Sequence, residues 1–183
     1  MWHEIARFCP VCGTPLVHEQ VDDRQRPLCR ACGLTIYGTP SPAAATVVLD
    51  DERQVLLIKR RRAPFEQHWT LPAGYQEYDE DPVRTALRET EEETGLCVVI
   101  DGLIDVLYTS DDPRKRGILV VYLAHPVGGT LRAGDDAEDA AFFPVHDLPS
   151  PVGFANDRRV LAHVASELAA GRLPGDGRPR RPE

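Results

Sequence analysis

The chain has 183 residues, 42% of them hydrophobic and 27% charged, with a formal net charge of −8, a size that suits one domain of ordinary dimensions plus a small appendage. Its apolar runs fall well short of the about 18 residues that a membrane-spanning helix requires, so no membrane partner is expected. The acidic balance argues against a protein built mainly to coat nucleic acid, which would carry a broad basic surface.

The first ten residues, MWHEIARFCP, contain no basic segment followed by an apolar run, so no secretion signal is visible and the cytoplasm is the expected location. Next come Cys9-Pro-Val-Cys12-Gly13 and Cys29-Arg-Ala-Cys32-Gly33, a C-x2-C-x16-C-x2-C spacing. Thiolates from two such turns can surround a tetrahedral Zn²⁺, and the glycine after each pair permits the turn that aims backbone N–H groups at sulfur. Two disulfides would use the same residues, but a chain without a secretion signal belongs in a reducing compartment. A four-cysteine shell leaves no position for water or substrate, so Cys9, Cys12, Cys29 and Cys32 predict a structural zinc. A segment of roughly thirty residues cannot build an adequate core alone, and the metal would supply much of its folding free energy. Residues 1–38 are read as a zinc ribbon. Arg7, Arg24, Arg26 and Arg30 leave a nucleic-acid or protein partner open to it; Glu19, Asp22 and Asp23 are interleaved with them and weigh against nucleic acid.

Thr39-Pro-Ser-Pro42 reads as a short stiff linker. Ala43–Leu49 and Val55–Lys59 are predicted strands joined by a polar turn at residues 50–53. The Arg60-Arg61-Arg62 triplet then has two readings, a cationic hold on a substrate diphosphate or ribose and a solvated strand end. Trp69, in the following loop, is read first as a core residue, with stacking against a substrate as the other reading. Arg60 and Trp69 are the substrate-binding candidates.

Residues 81–95 predict a helix, with Asp81 as N-cap, Pro82 at the first position and Gly95 at the stop. At about 100° per residue, Glu89, Glu92 and Glu93 share one face, and Val83, Ala86, Leu87 and Thr90 form the adjoining core stripe. Like charges at these offsets destabilise a helix by some tenths of a kcal/mol each. A hard divalent cation, Mg²⁺ or Mn²⁺, would neutralise them; a solvated acidic face is the alternative.

Cys97–Ile100, Leu103–Tyr108 and Gly117–Ala124 are predicted strands, with Cys97 read as a buried small hydrophobe and residues 109–116 as a charged loop of the kind that borders a site. Val160, Leu161, Val164 and Leu168 mark a last helix ending near Gly171. The Pro-, Gly- and Arg-rich residues 172–183 are expected to form a flexible tail.

Read together, Gly74, Glu80, Arg88, Glu89, Glu92, Glu93, Gly95 and Leu96 match G-x5-E-x7-R-E-U-x-E-E-x-G-U, where U is bulky and apolar, except that Thr90 stands at the first U. This resembles the signature box of the Nudix hydrolases, and Trp69-Thr-Leu-Pro-Ala-Gly74 is similar to the W-x-L-P-G-G that precedes it. The resemblance implies an α/β/α (α+β) sandwich with a mixed sheet over residues 39–171, after the ribbon. It also implies metal-dependent hydrolysis of a nucleoside diphosphate linked to another group. Metal ligands would be Glu89, Glu92, Glu93 and the Ala73 backbone carbonyl; Glu93 or Glu92 would contact the attacking water, and Glu89 could act as base. Arg88 would orient the carboxylates, and Glu80 would support the site or bind a further metal. An acidic loop before Phe142-Phe143 points to Asp136 and Asp139 as further catalytic candidates, with Asp135 and Glu138 as competitors.

A ribbon joined to such a domain resembles both NAD(H) pyrophosphatases and a group acting on ADP-ribose or FAD. The first group carries S-Q-P-W-P-F-P downstream, which this chain lacks after Leu96, so ADP-ribose or FAD is the expected substrate. NAD(H) hydrolysis, and a non-catalytic module that senses a nucleotide or binds a partner through the ribbon, stand as alternatives. A homodimer is implied by the family.

Overall fold

The structure is a computed structural model that describes residues 2–112 and 115–173. A one-turn helix α1 (Trp2–Ile5) precedes an antiparallel hairpin of β1 (Val17–Val21) and β2 (Arg24–Leu28), in which Val21 pairs with Arg24. On either side of this hairpin lies a cysteine turn of the same build. Gly13 N–H bonds the Cys9 carbonyl at 2.9 Å and Gly33 N–H bonds the Cys29 carbonyl at 2.8 Å. Both glycines have positive φ, 72° and 76°, which a residue with a Cβ adopts only at a cost.

Strand β3 (Ser41–Val48) begins inside the expected linker. It is followed by β4 (Gln54–Arg60), the short β5 (Trp69–Thr70) and β6 (Ala73–Tyr75), helix α2 (Pro82–Thr94), the long β7 (Leu96–Thr109) and β8 (Gly117–Gly129), β9 (Ala137–Pro144) and helix α3 (Ala155–Ala169). One sheet has the order β6-β3-β8-β7, the other β5-β4-β9. Only the β3–β8 pair in the first sheet is parallel, so the sheet is mixed. Successive strand residues point to opposite faces. Val47 and Leu57 join Val160, Leu161 and Val164 of α3 in the larger core cluster, whereas Val48 and Leu56 join a second cluster with Leu87 of α2. The strands therefore lie between two helices, each burying one sheet face.

Helix α2 begins and ends where its sequence directs. Asp81 Oδ1 accepts from Arg84 N–H at 2.9 Å, and Gly95, at φ 70°, donates its N–H to the Glu91 carbonyl at 2.8 Å. Helix α3 has Phe154 at its N-cap, which offers no capping side chain. Asp111 supplies it from another loop, accepting from Ala155 N–H at 3.0 Å.

Three expectations change. Val83 is 36% exposed, and the buried positions of α2 are Thr85, Ala86, Thr90, Glu93 and Thr94, so the buried stripe is rotated toward the acidic face. Residues 96–109 form one strand, with register shifts absorbing the irregularities near Gly102. Alternation along that strand turns Cys97 outward, and it is exposed where a buried small hydrophobe was expected. Among the described residues no helix is long and apolar enough to cross a membrane. Most of the expected tail, residues 174–183, lies outside the described residues.

Candidate active site and metal centre

Arg88 organises the acidic face of α2. Its Nε donates to Glu80 Oε1 at 2.6 Å and its Nη2 to Glu80 Oε2 at 2.9 Å, while Nη1 donates to Glu89 at 2.7 Å and Glu92 at 3.0 Å. A fourth partner is the Tyr75 carbonyl, 3.1 Å from Nη2. The bidentate bond from Arg88 holds the Glu80 carboxyl down at about 2, as an opposite charge in fork geometry should. Burial acts in the other direction on the box glutamates. It raises Glu89 and pushes Glu93 up to about 8, and Glu93 is only 4% exposed.

The Glu93 carboxylate is placed by the Ala73 N–H, which donates to Oε2 at 3.0 Å. Glu89 lies against the backbone of Gly74, where an added Cβ would stand 2.0 Å from the Glu89 carboxyl carbon. Only glycine leaves room for that carboxylate. Thr90, the departure from the box pattern, is buried, and its hydroxyl lies 2.7 Å from that of Thr46 on β3. Glu89, Glu92 and Glu93 are hard oxygen donors, and the Ala73 backbone is tied to the last of them through its N–H. Two of these carboxylates lie in surroundings that penalise their charge, so the set fits Mg²⁺ or Mn²⁺.

Beside the box lead-in lies a cavity of about 320 Å³, lined by Ala73, Gly74 and Tyr75, by Arg60 and Asp136, and by Phe154, Asn156 and Asp157 at the start of α3. Asp111, Asp112 and Lys115 of the charged loop border it, with Lys115 Nζ 4.8 Å from the centre of the Tyr75 ring. The arginine triplet divides. Arg60 enters the cavity, its Nε bonded to the Pro64 carbonyl at 2.8 Å and its guanidinium 5.4 Å from the Phe154 ring. Arg61 bonds the carbonyls of Asp135 and Ala137, and Arg62 pairs with Asp136 at 3.1 Å. The second and third arginines thus hold the 135–137 segment that brings Asp136 to the cavity.

Asp139 is not brought there. It is exposed, stands opposite Lys59 on β9 and turns its Oδ1 back to the Ala140 N–H at 2.8 Å. Glu138 bonds Gln67. Trp69 is absent from the cavity lining; its ring packs edge-on against Phe143 at 4.8 Å, in the core. The sequence reading missed Asp157, an acid 4% exposed on α3. Its signal was present: residues 157, 160, 161, 164 and 168 share helical spacing, so an acid stands on the apolar stripe.

The four cysteine sulfurs lie within 4.8 Å of one another. Cys9 and Cys32 are 3.6 Å apart, Cys12 and Cys29 3.5 Å. A disulfide requires about 2.05 Å, whereas sulfurs placed tetrahedrally at ~2.3 Å around one zinc stand ~3.8 Å apart. The donor set and spacing fit a structural Zn²⁺. The Cys12 thiol donates to the Thr14 hydroxyl at 3.4 Å.

A family model described as NUDIX domain matches residues 39–164, and a second, described as Nudix N-terminal, matches residues 7–38. The chain is 39% identical over 103 residues to the ADP-ribose pyrophosphatase of Methanocaldococcus jannaschii, covering 56% of this chain and 61% of that protein. It is 29% identical over 185 residues to the NAD-capped RNA hydrolase NudC of Pseudomonas entomophila, covering 99% of this chain and 62% of the relative. It thus spans about three fifths of both relatives. The crystal structure of a NUDIX hydrolase from Nitrosomonas europaea superposes with a TM-score of 0.82 at 26% identity, covering 91% of this chain and 94% of the other.

Proposed function

The chain belongs to the NUDIX domain family, and from that premise we propose that it hydrolyses the pyrophosphate bond of a nucleoside diphosphate joined to a second group, with ADP-ribose or FAD as substrate. The observation that carries the reading is the placing of Glu89 and Glu92 by Arg88 and of Glu93 by the Ala73 N–H, against the Ala73–Tyr75 strand that lines a cavity with Arg60. The substrate class is supported by the likeness to the Methanocaldococcus jannaschii ADP-ribose pyrophosphatase.

In this reading Glu89, Glu92, Glu93 and the Ala73 carbonyl hold Mg²⁺ or Mn²⁺. The bound metal supplies charge neutralisation on the diphosphate and a lower pKa for the attacking water. Arg60 holds the diphosphate across the cavity. Arg88 fixes Glu89 through Oε1, and Glu89 Oε2 accepts the proton of the water. Water oxygen bonds to one phosphorus as the bond from that phosphorus to the bridging oxygen breaks, so ADP-ribose yields AMP and ribose 5-phosphate. Asp136, held by Arg62, is the acid of the 135–139 segment assigned to the site. The assigned units are a ribbon at 1–38, a hydrolase domain at 39–171 and a tail at 172–183, in a cytoplasmic protein that forms a homodimer.

The test is release of nucleoside monophosphate from a panel of ADP-ribose, FAD, NADH, diadenosine polyphosphates and nucleoside triphosphates with Mg²⁺ or Mn²⁺. ADP-ribose or FAD should turn over fastest, and Glu93→Gln should lower the rate by about a hundredfold or more. Unchanged turnover in that variant would sink the site assignment, and tight binding without turnover would make the chain a sensor. Fastest cleavage of NADH would favour a second reading, NAD(H) or NAD-cap hydrolysis, supported by the likeness to NudC along almost the whole chain, ribbon included.

A further inference from the structure

The far wall of the cavity carries polar groups that the hydrolysis does not use. Asp157, at the third position of α3, is 4% exposed and lines the cavity. Its Oδ2 accepts from the Leu71 N–H at 3.4 Å, a long bond, and its Oδ1 has no hydrogen-bond partner among the described residues. A carboxylate offers about four acceptor positions, so most of its capacity is unspent. Thr70 lines the same cavity. It is 1% exposed, and its Oγ1 is buried without a partner. Buried polar atoms are nearly always satisfied; Thr70 Oγ1 is not, and beside it in the cavity lining stands a carboxylate whose one bond is long, so together they mark the place of a ligand group.

We propose that Asp157 and Thr70 are the specificity-determining residues that read a ribose hydroxyl of the substrate, a proposal that rests on the hydrolase reading above. A sugar hydroxyl both donates and accepts. It can donate to Asp157 Oδ1 and accept from the Thr70 hydroxyl, satisfying both atoms at once, whereas an amine of a base only donates. Burial holds the Asp157 carboxyl up at about 7, consistent with a carboxyl short of donors until a ligand arrives. A purely structural role at the start of α3 would leave Thr70 unexplained.

The test separates recognition from turnover by using the α,β-methylene analogue of ADP-ribose, which keeps the recognition groups and has no cleavable anhydride. Its equilibrium binding is compared with that of three relatives: one with 2′-deoxyadenosine, one with tetrahydrofurfuryl in place of the terminal ribose, and one with inosine for adenosine. One of the first two should bind wild-type protein about tenfold or more weakly. Asp157→Asn and Thr70→Val should weaken the parent analogue to a similar degree and add little further loss on that relative. Equal binding of all four by wild type would overturn the proposal, as would a loss confined to the inosine form, which would assign Asp157 to the base. Thermal melts of both variants exclude unfolding, and wild-type discrimination stands whatever the melts show. Binding of the analogue without hydrolysis of ADP-ribose would remove the catalytic reading and leave this one standing.

Discussion

The hydroxyls of Thr46 and Thr90 lie 2.7 Å apart in the buried contact between β3 and α2. Thr90 also bonds the Ala86 carbonyl at 2.7 Å. That bond spends the proton of Thr90, so Thr46 donates to it. Thr90→Val strands a buried donor on Thr46 and should cost about 1–2 kcal/mol. Thr46→Val leaves Thr90 bonded to Ala86 and should cost less. The double Thr46→Val/Thr90→Val variant should recover part of the loss, which urea unfolding in a double-mutant cycle would measure. Simple additivity would show that the pair is not coupled.

Gly74→Ala should separate stability from activity. The new Cβ would collide with the carboxylate of Glu89, the end of a flexible side chain that can move aside, so the melting temperature should shift by only a few degrees. Movement of that carboxylate away from Arg88 should lower turnover by about a hundredfold. A folded variant with wild-type turnover would remove Glu89 from the site.

Metal analysis of reduced protein should give one zinc per chain. A chelator that strips it should expose the four thiols to a thiol reagent and unfold the ribbon, while the near-ultraviolet signal of Trp69 against Phe143 persists. Protein purified under reducing conditions without zinc, yet with a protease-resistant ribbon, would contradict the assignment.

Asp157 makes stability depend on pH in a defined direction. Burial raises its carboxyl from 3.8 to about 7, so between these values the folded chain binds this proton and the unfolded chain does not. The Asp157 contribution to stability is therefore largest below about pH 4, declines as pH rises toward 7 and is level above it. Asp157→Asn should remove this slope and raise stability at pH 8 by on the order of 1–3 kcal/mol, as denaturant midpoints across that range would show. Glu80 acts in the opposite direction. Its carboxyl is held at about 2 by Arg88, so its contribution is present above about pH 4.5 and is lost as pH falls toward 2.

Much of this protein could be read from local sequence, because the relevant physics is local. The caps of α2 need only Asp81, Pro82 and Gly95, and the cysteine turns need only a C-x2-C-G spacing. Glu92 stands beside Arg88 because residues four apart meet on a helix, whereas Glu89, its chain neighbour, is reached only by the length of the arginine side chain. What the sequence left open depends on residues far apart in the chain. Arg60, Arg61 and Arg62 look alike as a run, yet the first enters a cavity and the others hold a segment about seventy-five residues away. Asp136 and Asp139 are equivalent by spacing, and strand register at Lys59 turns only Asp139 away.

The sequence by itself determined the chemistry of two sites, a hard-oxygen face on α2 and a four-sulfur centre in the ribbon, because short spacings on helices and turns fix which donors meet. Only the tertiary structure decided that Glu93 is buried on the Ala73 N–H, that Gly74 makes room for Glu89, and that Asp157 and Thr70 face one cavity. Burial and hydrogen-bond satisfaction are properties of the packed chain: a carboxylate becomes costly, or a hydroxyl is left without a partner, only when distant strands and helices close over it.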